Sequence, residues 1–487
     1  MKFKKTTLAT IIASLSTSFS VAYASSDALP DKYISEAPVV GKIYDEFLFY
    51  DNDGSKDISI QGSVTGQVNQ YFFNKGALLD ASNGGLHSTI LVHNWGTYPQ
   101  NNPDCYKTKS EFNIGSGYDF YIKRYDTTGA FEVQEGATLV INNGNIVLES
   151  GVANNFDLDS NESIIHMQDG GKLLINSESL WMGNKREDMD NAGGINIYGD
   201  SERDNVTSKL DISLSKSFVE DNVVFGIAAQ ALTTNDKSEV SVKADEGISI
   251  NAFYSDAHKA SHFLGAGFYL LAYHEKTAKT NLNLESTNGN INVTAQGYGY
   301  YGYGNVTSTI SSGTGDVSII GRDKQAIYLG GNSGITRNNS LSITAGKNIV
   351  LHSDSDYSVQ IDGDETQNGI NLTLSAHDNI NITGNGYGIY AYNGDVSLTS
   401  NKLIIDSFKD WYSLCVFTGS TVIAQIGDLS TFDDEVYVSG GTLNLSSPKS
   451  IFNDKIRVKK GGKVNIDSAT SFVASIDDDN GCNKGCC

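Results

Sequence analysis

Proline is nearly absent where loops would use it. The 487-residue chain has five, and Pro30, Pro38, Pro99 and Pro103 all precede residue 104, leaving Pro448 as the only later one. Because proline has no N–H to give to a ladder, the interval from Pro103 to Pro448 is open to continuous β-sheet. Cysteine is also sparse for a chain of this size: Cys105 and Cys415 lie far apart, and Cys482, Cys486 and Cys487 crowd the last residues. Disulfides therefore do not frame the fold. Positive charge is scarce, with 35 Lys and Arg against 57 Asp and Glu and a net charge of −22. That balance argues against a nucleic-acid or anionic-membrane partner, both of which need clustered basic residues. Acidity by itself otherwise reports only solubility. Beyond the first residues no apolar run is long enough for a membrane helix, and helical periodicity is missing. The nearest candidate, Ala228-Ala229-Gln230-Ala231-Leu232, stands where a strand is due and is read as one.

What is present starts at the N-terminus. Lys2, Lys4 and Lys5 precede an apolar and small-residue stretch from Thr6 to Val21, and Ala22-Tyr23-Ala24 is an A-x-A cleavage site before Ser25. Ser14, Ser16, Thr17, Ser18 and Ser20 interrupt the apolar stretch, which favours a cleaved leader over an anchor. Residues 1–24 are thus expected to be a signal peptide.

Further on, one phrase recurs: an apolar residue at every second position, a short polar break, then the same again. The clearest copy runs Leu372-Thr373-Leu374-Ser375-Ala376, Ile380-Asn381-Ile382 and Gly388-Ile389-Tyr390. Copies begin at Leu210, Val240, Leu282, Leu341 and Leu372, with a degenerate one near Ile310. Steps of about 30 residues, each holding three short half-buried strands, predict an all-β fold: a single-stranded, right-handed parallel β-helix. Glycine-turn phrases flank the repeats, as in Gly170-Gly171 before Leu173-Leu174-Ile175 and Gly440-Gly441 before Leu443-Asn444-Leu445. The repeats are assigned to residues 131–475, about a dozen coils stacked about 4.8 Å apart into a rod on the order of 55 Å long. Residues 25–130 are assigned to an N-terminal capping or head region, and 476–487 to a disordered Asp/Cys tail. The longer step after Val240 is assigned to an insertion from Ser255 to Gly267, expected to project from the rod.

A leader followed by Gly-Gly-x-Leu-x-Leu phrases and Asn/Gly/Ser/Thr-rich β-coils resembles the passenger region of bacterial autotransporters and related β-helical adhesins of Gram-negative surfaces. The resemblance covers about 130–475. It implies an exported cell-surface or extracellular protein, associated with the outer membrane, acting in adhesion or structural display. The membrane β-barrel that ends such proteins is not seen before Cys487, so the chain is expected to be a truncated passenger or to be released or retained by other means, with its translocator outside this chain.

Aromatic residues give the main candidate surface. The third strands of successive coils carry Tyr269, Tyr301, Tyr328 and Tyr390, with Gln360 where one coil lacks the ring, so an interrupted tyrosine ladder is expected on one side of one sheet. Around it, Tyr298, Tyr300, Tyr301 and Tyr303 alternate with glycines and read as a contact surface for a host or bacterial glycan or protein. The plainer alternative is an aromatic stack that only packs coils together. Calcium is a second candidate, at Asp51-Asn52-Asp53-Gly54-Ser55-Lys56-Asp57, but Lys56 and Gly62 stand where an EF-hand needs Gly and an acid. Asp362-Gly363-Asp364-Glu365 is similar and weaker. His258 and His262 have metalloprotease spacing without the intervening Glu, and a metal at the cysteine tail lacks a fourth ligand and a scaffold. No cofactor is therefore expected. A polysaccharide-active β-helix enzyme, lyase or glycoside hydrolase, would need grouped carboxylates or a basic residue on one sheet, and none recurs on the third strands. Gly199-Asp200-Ser201 continues as Glu202 and so departs from the Gly-Asp-Ser-Gly of serine-protease passengers. A non-catalytic protein is expected.

Overall fold

The computed structural model describes residues 32–478 except 52–57, 62–67, 82–89, 94–108, 126–128, 153–162, 187–188, 199–205, 234, 255–264, 273–276, 332–337, 355–356, 364–368 and 409–410. The leader, the calcium-like loop at 52–57, His258 and His262, Ser201 and the cysteine tail lie outside the described residues, as does most of the insertion after Tyr254. Within them the chain forms 43 strands and no helix, and Ala228 to Ala231 lie in a strand as expected. None of the described residues forms a helix long and apolar enough to cross a membrane.

The strands stack as a parallel β-helix. Lys279–Ser286 pairs in parallel with Lys237–Ala244 on one side and Val306–Ser312 on the other, and the next two strands of the coil, Ile291–Ala295 and Tyr300–Gly304, do the same on two further faces. Alternation sets direction: in Lys279–Ser286 the buried positions include Leu282 and Leu284, while Asn281 and Asn283 point out. The register aligns Leu210, Val240 and Leu282 into one inward column, and each is at most 3% exposed. Burying each such side chain contributes about 1.5–3 kcal/mol before chain entropy is subtracted, so stability accumulates coil by coil. One apolar core runs unbroken from Tyr44 to Ile456.

The degenerate copy has a packing cause. Leu282 aligns with Ser308 and then with Leu341, so the true equivalent is Ser308, two residues before Ile310. The Tyr300 ring occupies the core in that coil, and its hydroxyl lies 2.7 Å from Ser308 Oγ. A leucine at 308 would compete for the same volume. Gly302 helps in the same way, since a Cβ there would sit 2.9 Å from Tyr300 Cε1.

Turns carry a polar ladder of their own. Asn379 Nδ2 donates to Asn348 Oδ1 at 2.6 Å, Asn348 Nδ2 to Asp316 Oδ1 at 2.8 Å, and the Asp316 backbone N–H to Asn290 Oδ1 at 2.9 Å. Amide and carboxylate side chains thus satisfy one another between coils beside backbone bonds such as Val317 N–H to the Asn348 carbonyl at 2.9 Å.

The expected boundary at residue 131 is not a boundary in pairing. Phe131 pairs with Ile90 on one side and Ile165 on the other, and strands back to Tyr33–Ser35 stack in parallel. This section escaped the periodicity because its core is aromatic, with Phe73, Phe112 and Phe120 in mutual contact and Tyr44 stacked on Phe73, and its strands are unevenly spaced. At the other end the coils shrink to roughly 20 residues as two faces fuse into single long strands. Asp395–Ser407, for example, pairs with both Ile370–Ala376 and Asn379–Gly384.

A carboxylate also stands among the apolar core residues. Glu220 stands in the inward column between Met182 and Ile250, is 0% exposed, and has no hydrogen-bond partner for either oxygen. Its carboxyl fills space left by two glycines: Cβ atoms added at Gly194 or Gly226 would each lie 2.9 Å from one of its oxygens.

Candidate functional site

The third face presents the expected column. Register places Tyr269 against Tyr301, Tyr301 against Tyr328, Tyr328 against Gln360, and Gln360 against Tyr390. Rings one rung apart stack, with centroids 5.1 Å apart and 12° between planes for Tyr269 and Tyr301, and 4.9 Å and 8° for Tyr301 and Tyr328. The strand spacing itself sets this separation, so the backbone ladder holds the rings in offset contact. Tyr303 continues the plate sideways, stacked on Tyr301 at 6.3 Å.

Two of the seven expected surface tyrosines are displaced from the surface. Tyr300 is fully enclosed in the core, because strict alternation turns it opposite to Tyr301. Tyr298 is 7% exposed and packs edge-on to Tyr301 and obliquely to Tyr328, so it supports the plate from beside it. Tyr269, Tyr301, Tyr303, Tyr328 and Tyr390 are half-buried, each with part of its surface open.

A second aromatic group continues the face and was not singled out in the sequence. Tyr357 and Tyr387 stack at 4.6 Å and 8°, Tyr387 and Tyr412 at 5.5 Å and 12°, and Trp411 meets Tyr387 edge-on. Tyr390 packs on Phe417, which meets Tyr437. The legible signal was a four-residue phrase, Tyr then Gly or Ser at the corner. It occurs as Tyr298-Gly299-Tyr300-Tyr301, Tyr357-Ser358-Val359-Gln360, Tyr387-Gly388-Ile389-Tyr390 and Tyr412-Ser413-Leu414-Cys415. Its first and fourth residues form two neighbouring columns.

Between the two aromatic groups the face turns polar. Gln325 Nε2 donates to Gln360 Oε1 at 2.7 Å, Gln325 is 5% exposed, and its own Oε1 is buried without a partner. Asp362 lies one position along from Gln360 on the outward side, and burial pushes its carboxyl above the usual carboxylate range. Burial, reinforced by Asp362 and neighbouring phenols, also pushes the Tyr328 hydroxyl well above the usual phenol range, so it remains a donor. Towards the N-terminus the same column runs into Ala228, Asn196, His166 and Glu132, all buried. Burial pushes the His166 imidazole down to about 4, so it is neutral at physiological pH. The open part of the column therefore begins at Tyr269.

Two polar groups lie on the second face, away from the third strands where carboxylates were sought. His352 Nδ1 is 2.8 Å from Thr383 Oγ1 and its Nε2 is 2.8 Å from Asp354 Oδ1, while Thr383 is only 3% exposed. Asp434 accepts from the Ser407 N–H at 2.7 Å. Burial first, and the neighbouring Asp406 and Asp433 carboxylates next, push Asp434 up to about 7 despite that bond. Phe408 and Trp411, 39% and 50% exposed, flank the segment. Among the described residues no three His, Cys, Asp or Glu side chains converge as metal ligands. No family model, curated protein or solved structure matches the chain.

Proposed function

We propose that this chain is an exported β-helical surface protein of the autotransporter-passenger type, serving adhesion or structural display through its tyrosine-bearing face. The observation that carries this is the open plate of Tyr269, Tyr301, Tyr303 and Tyr328, held by the ladder at fixed spacing. Unlike Tyr300, which is enclosed in the core, these rings keep part of their surface open to a partner. Flat apolar surface with phenolic donors, on a scaffold that pays no ordering entropy on contact, suits repeated weak contacts that sum to avidity. The leader-like N-terminus supports export, and the negative charge supports solubility outside the cell. The partner class is a glycan or protein of a host or bacterial surface. The test is attachment of fluorescent beads coated with the protein to epithelial cells and to bacteria. Tyr301→Ser combined with Tyr390→Ser is expected to reduce attachment severalfold with the far-ultraviolet β signal unchanged. Equal attachment by wild type and variant refutes the reading.

A second reading, a polysaccharide-active enzyme, is favoured by one observation: Asp434, its carboxyl raised to about 7, adjoins a segment bearing the exposed rings of Phe408 and Trp411. A carboxyl poised near neutrality is what general acid catalysis requires. Release of reducing ends from plant and bacterial polysaccharides, abolished by Asp434→Asn, would establish it, and no release by the wild type would dismiss it.

A further inference from the structure

Gln360 is the single interruption between Tyr328 and Tyr390, and its surroundings are built differently from the rest of the face. Tyr328 and Tyr390 are two rungs apart, which at the usual strand spacing separates them by about 9–10 Å. A flat ring seated midway is then about 4–5 Å from each, the range of carbon–ring contact. Tyrosine reaches further from the backbone than glutamine, so the register implies a slot walled by the two rings and floored by the Gln360 amide, with Tyr357 of the same coil edge-on to Tyr390 at its side. That floor is fixed, because Gln360 Oε1 accepts from the nearly buried Gln325. The Gln360 amide protons remain for an acceptor.

The polar groups around the slot are mostly acceptors in want of donors. Gln325 Oε1 is buried and has no partner among the described residues. Asp362 stands beside the slot, half-buried, with no ion pair or side-chain hydrogen bond to another described residue. Gly330, its register partner, has the Tyr328 ring over it, since a Cβ there would lie 2.6 Å from Tyr328 Cε1, so the same ring also borders Asp362. Charge restricts the occupant further. Among the described residues the outward columns from Tyr269 to Phe417 hold no Lys or Arg; Arg322 and Lys324 stand exposed at the corner before Gln325, with Arg322 over the Phe253 ring, and Lys455 and Arg457 further along are paired with Glu435.

We infer that the slot floored by Gln360 and Gln325, walled by Tyr328 and Tyr390 and edged by Asp362, binds a neutral pyranose unit of an oligosaccharide. The ring faces take the sugar's C–H surfaces, Asp362 accepts from hydroxyls, Gln360 donates to a ring or hydroxyl oxygen, and Gln325 holds the Gln360 amide in place. Sialylated, sulfated and uronic sugars are disfavoured by the Asp362 carboxylate, with no Lys or Arg in the described outward columns to offset it. This rests on the reading of the tyrosine face as a contact surface, and narrows it to one site and one ligand class.

The test is titration calorimetry of the full chain with cellohexaose, mannohexaose and chitohexaose as neutral probes, and with sialyllactose and a heparin hexasaccharide as acidic ones. A neutral probe is expected to bind and the acidic probes are not. Gln360→Tyr completes the tyrosine ladder and so is expected to fold while closing the slot, and Asp362→Asn keeps the shape while weakening the acceptor. Each is expected to weaken binding about tenfold or more, the scale of one hydrogen bond to a charged group. Binding of the acidic probes alone, unchanged binding by Gln360→Tyr, or no binding of any neutral probe overturns the inference. If the last occurs while attachment still depends on Tyr301 and Tyr390, the contact surface stands and its partner is a protein. If Gln360→Tyr abolishes sugar binding but attachment ignores the two tyrosines, the sugar site stands and the wider reading falls.

Discussion

Replacing Glu220 should stabilise the rod, and more so as pH rises. The carboxyl is fully buried with both oxygens unpartnered, and burial raises it well above its ordinary value. Protonated, it costs about 1–3 kcal/mol as a buried polar group without a hydrogen bond. The titration adds to this. The folded state holds the proton to higher pH than the unfolded state does. Stability therefore falls as pH climbs from the unfolded carboxyl value of about 4.5, by about 1.4 kcal/mol per unit until the folded value is reached. Glu220→Met has nearly the same length and matches Met182 on the next rung, so it should gain at least about 1–3 kcal/mol at pH 5 and more at pH 7. Glu220→Gln keeps an unpartnered polar group but cannot ionise, and so isolates the titrating part. The assay is urea unfolding from pH 5 to 8, with hydrogen exchange of peptides covering Ser217–Val223 and Gly247–Ala252 to localise the effect, since solenoids need not unfold in one step. Curves for wild type and Glu220→Gln that run parallel over this range would refute the reasoning.

Two further outcomes follow from the described contacts. Glu178 is held down to about 2 by Lys216, the Ser116 hydroxyl and the Gly117 N–H. Its contribution is complete above about 4.5 and disappears as pH falls towards 2. Glu178→Gln should therefore speed hydrogen exchange at Gly117 at pH 7, and the difference from wild type should vanish at the acid end. Cys415 is 1% exposed, and burial, then Glu435, push its thiol far above the usual range. Peptide mapping after iodoacetamide at pH 8 should find it unlabelled in the folded protein and labelled in urea, and rapid labelling when folded would contradict the packing.

Some of this was legible from residues alone because alternation constrains both side-chain direction and register. Leu282 and Leu284 could only point one way if Asn281 and Asn283 pointed the other, and aligned copies then placed Tyr269, Tyr301 and Tyr328 on one column. The same rule, applied within Tyr300-Tyr301, assigns Tyr300 to the core, and the richness of tyrosine around it obscured that. What stayed hidden depends on neighbours distant in sequence. Nothing near Ser308 announces that a ring from the preceding strand has taken its place. Glu220 looks like an ordinary surface acid beside Asp221 until the register sets it between Met182 and Ile250. The aromatic first coils escaped because inward Phe73 and Phe112 lie on strands separated by long, uneven connections. Asp406 and Asp434 converge only because consecutive coils bring them side by side.

In-register stacking also makes the chain editable in units of a whole coil. A residue's outward neighbours are fixed by how many turns of the solenoid lie between them, so loss of the one coil running from Leu341 to Leu372 would set Tyr328 directly against Tyr390. The two aromatic groups would merge into a continuous strip, and the gap at Gln360 would disappear with no change to any remaining residue. Variation in coil number, rather than point substitution, is then the most direct way for such a protein to gain or lose a recognition position.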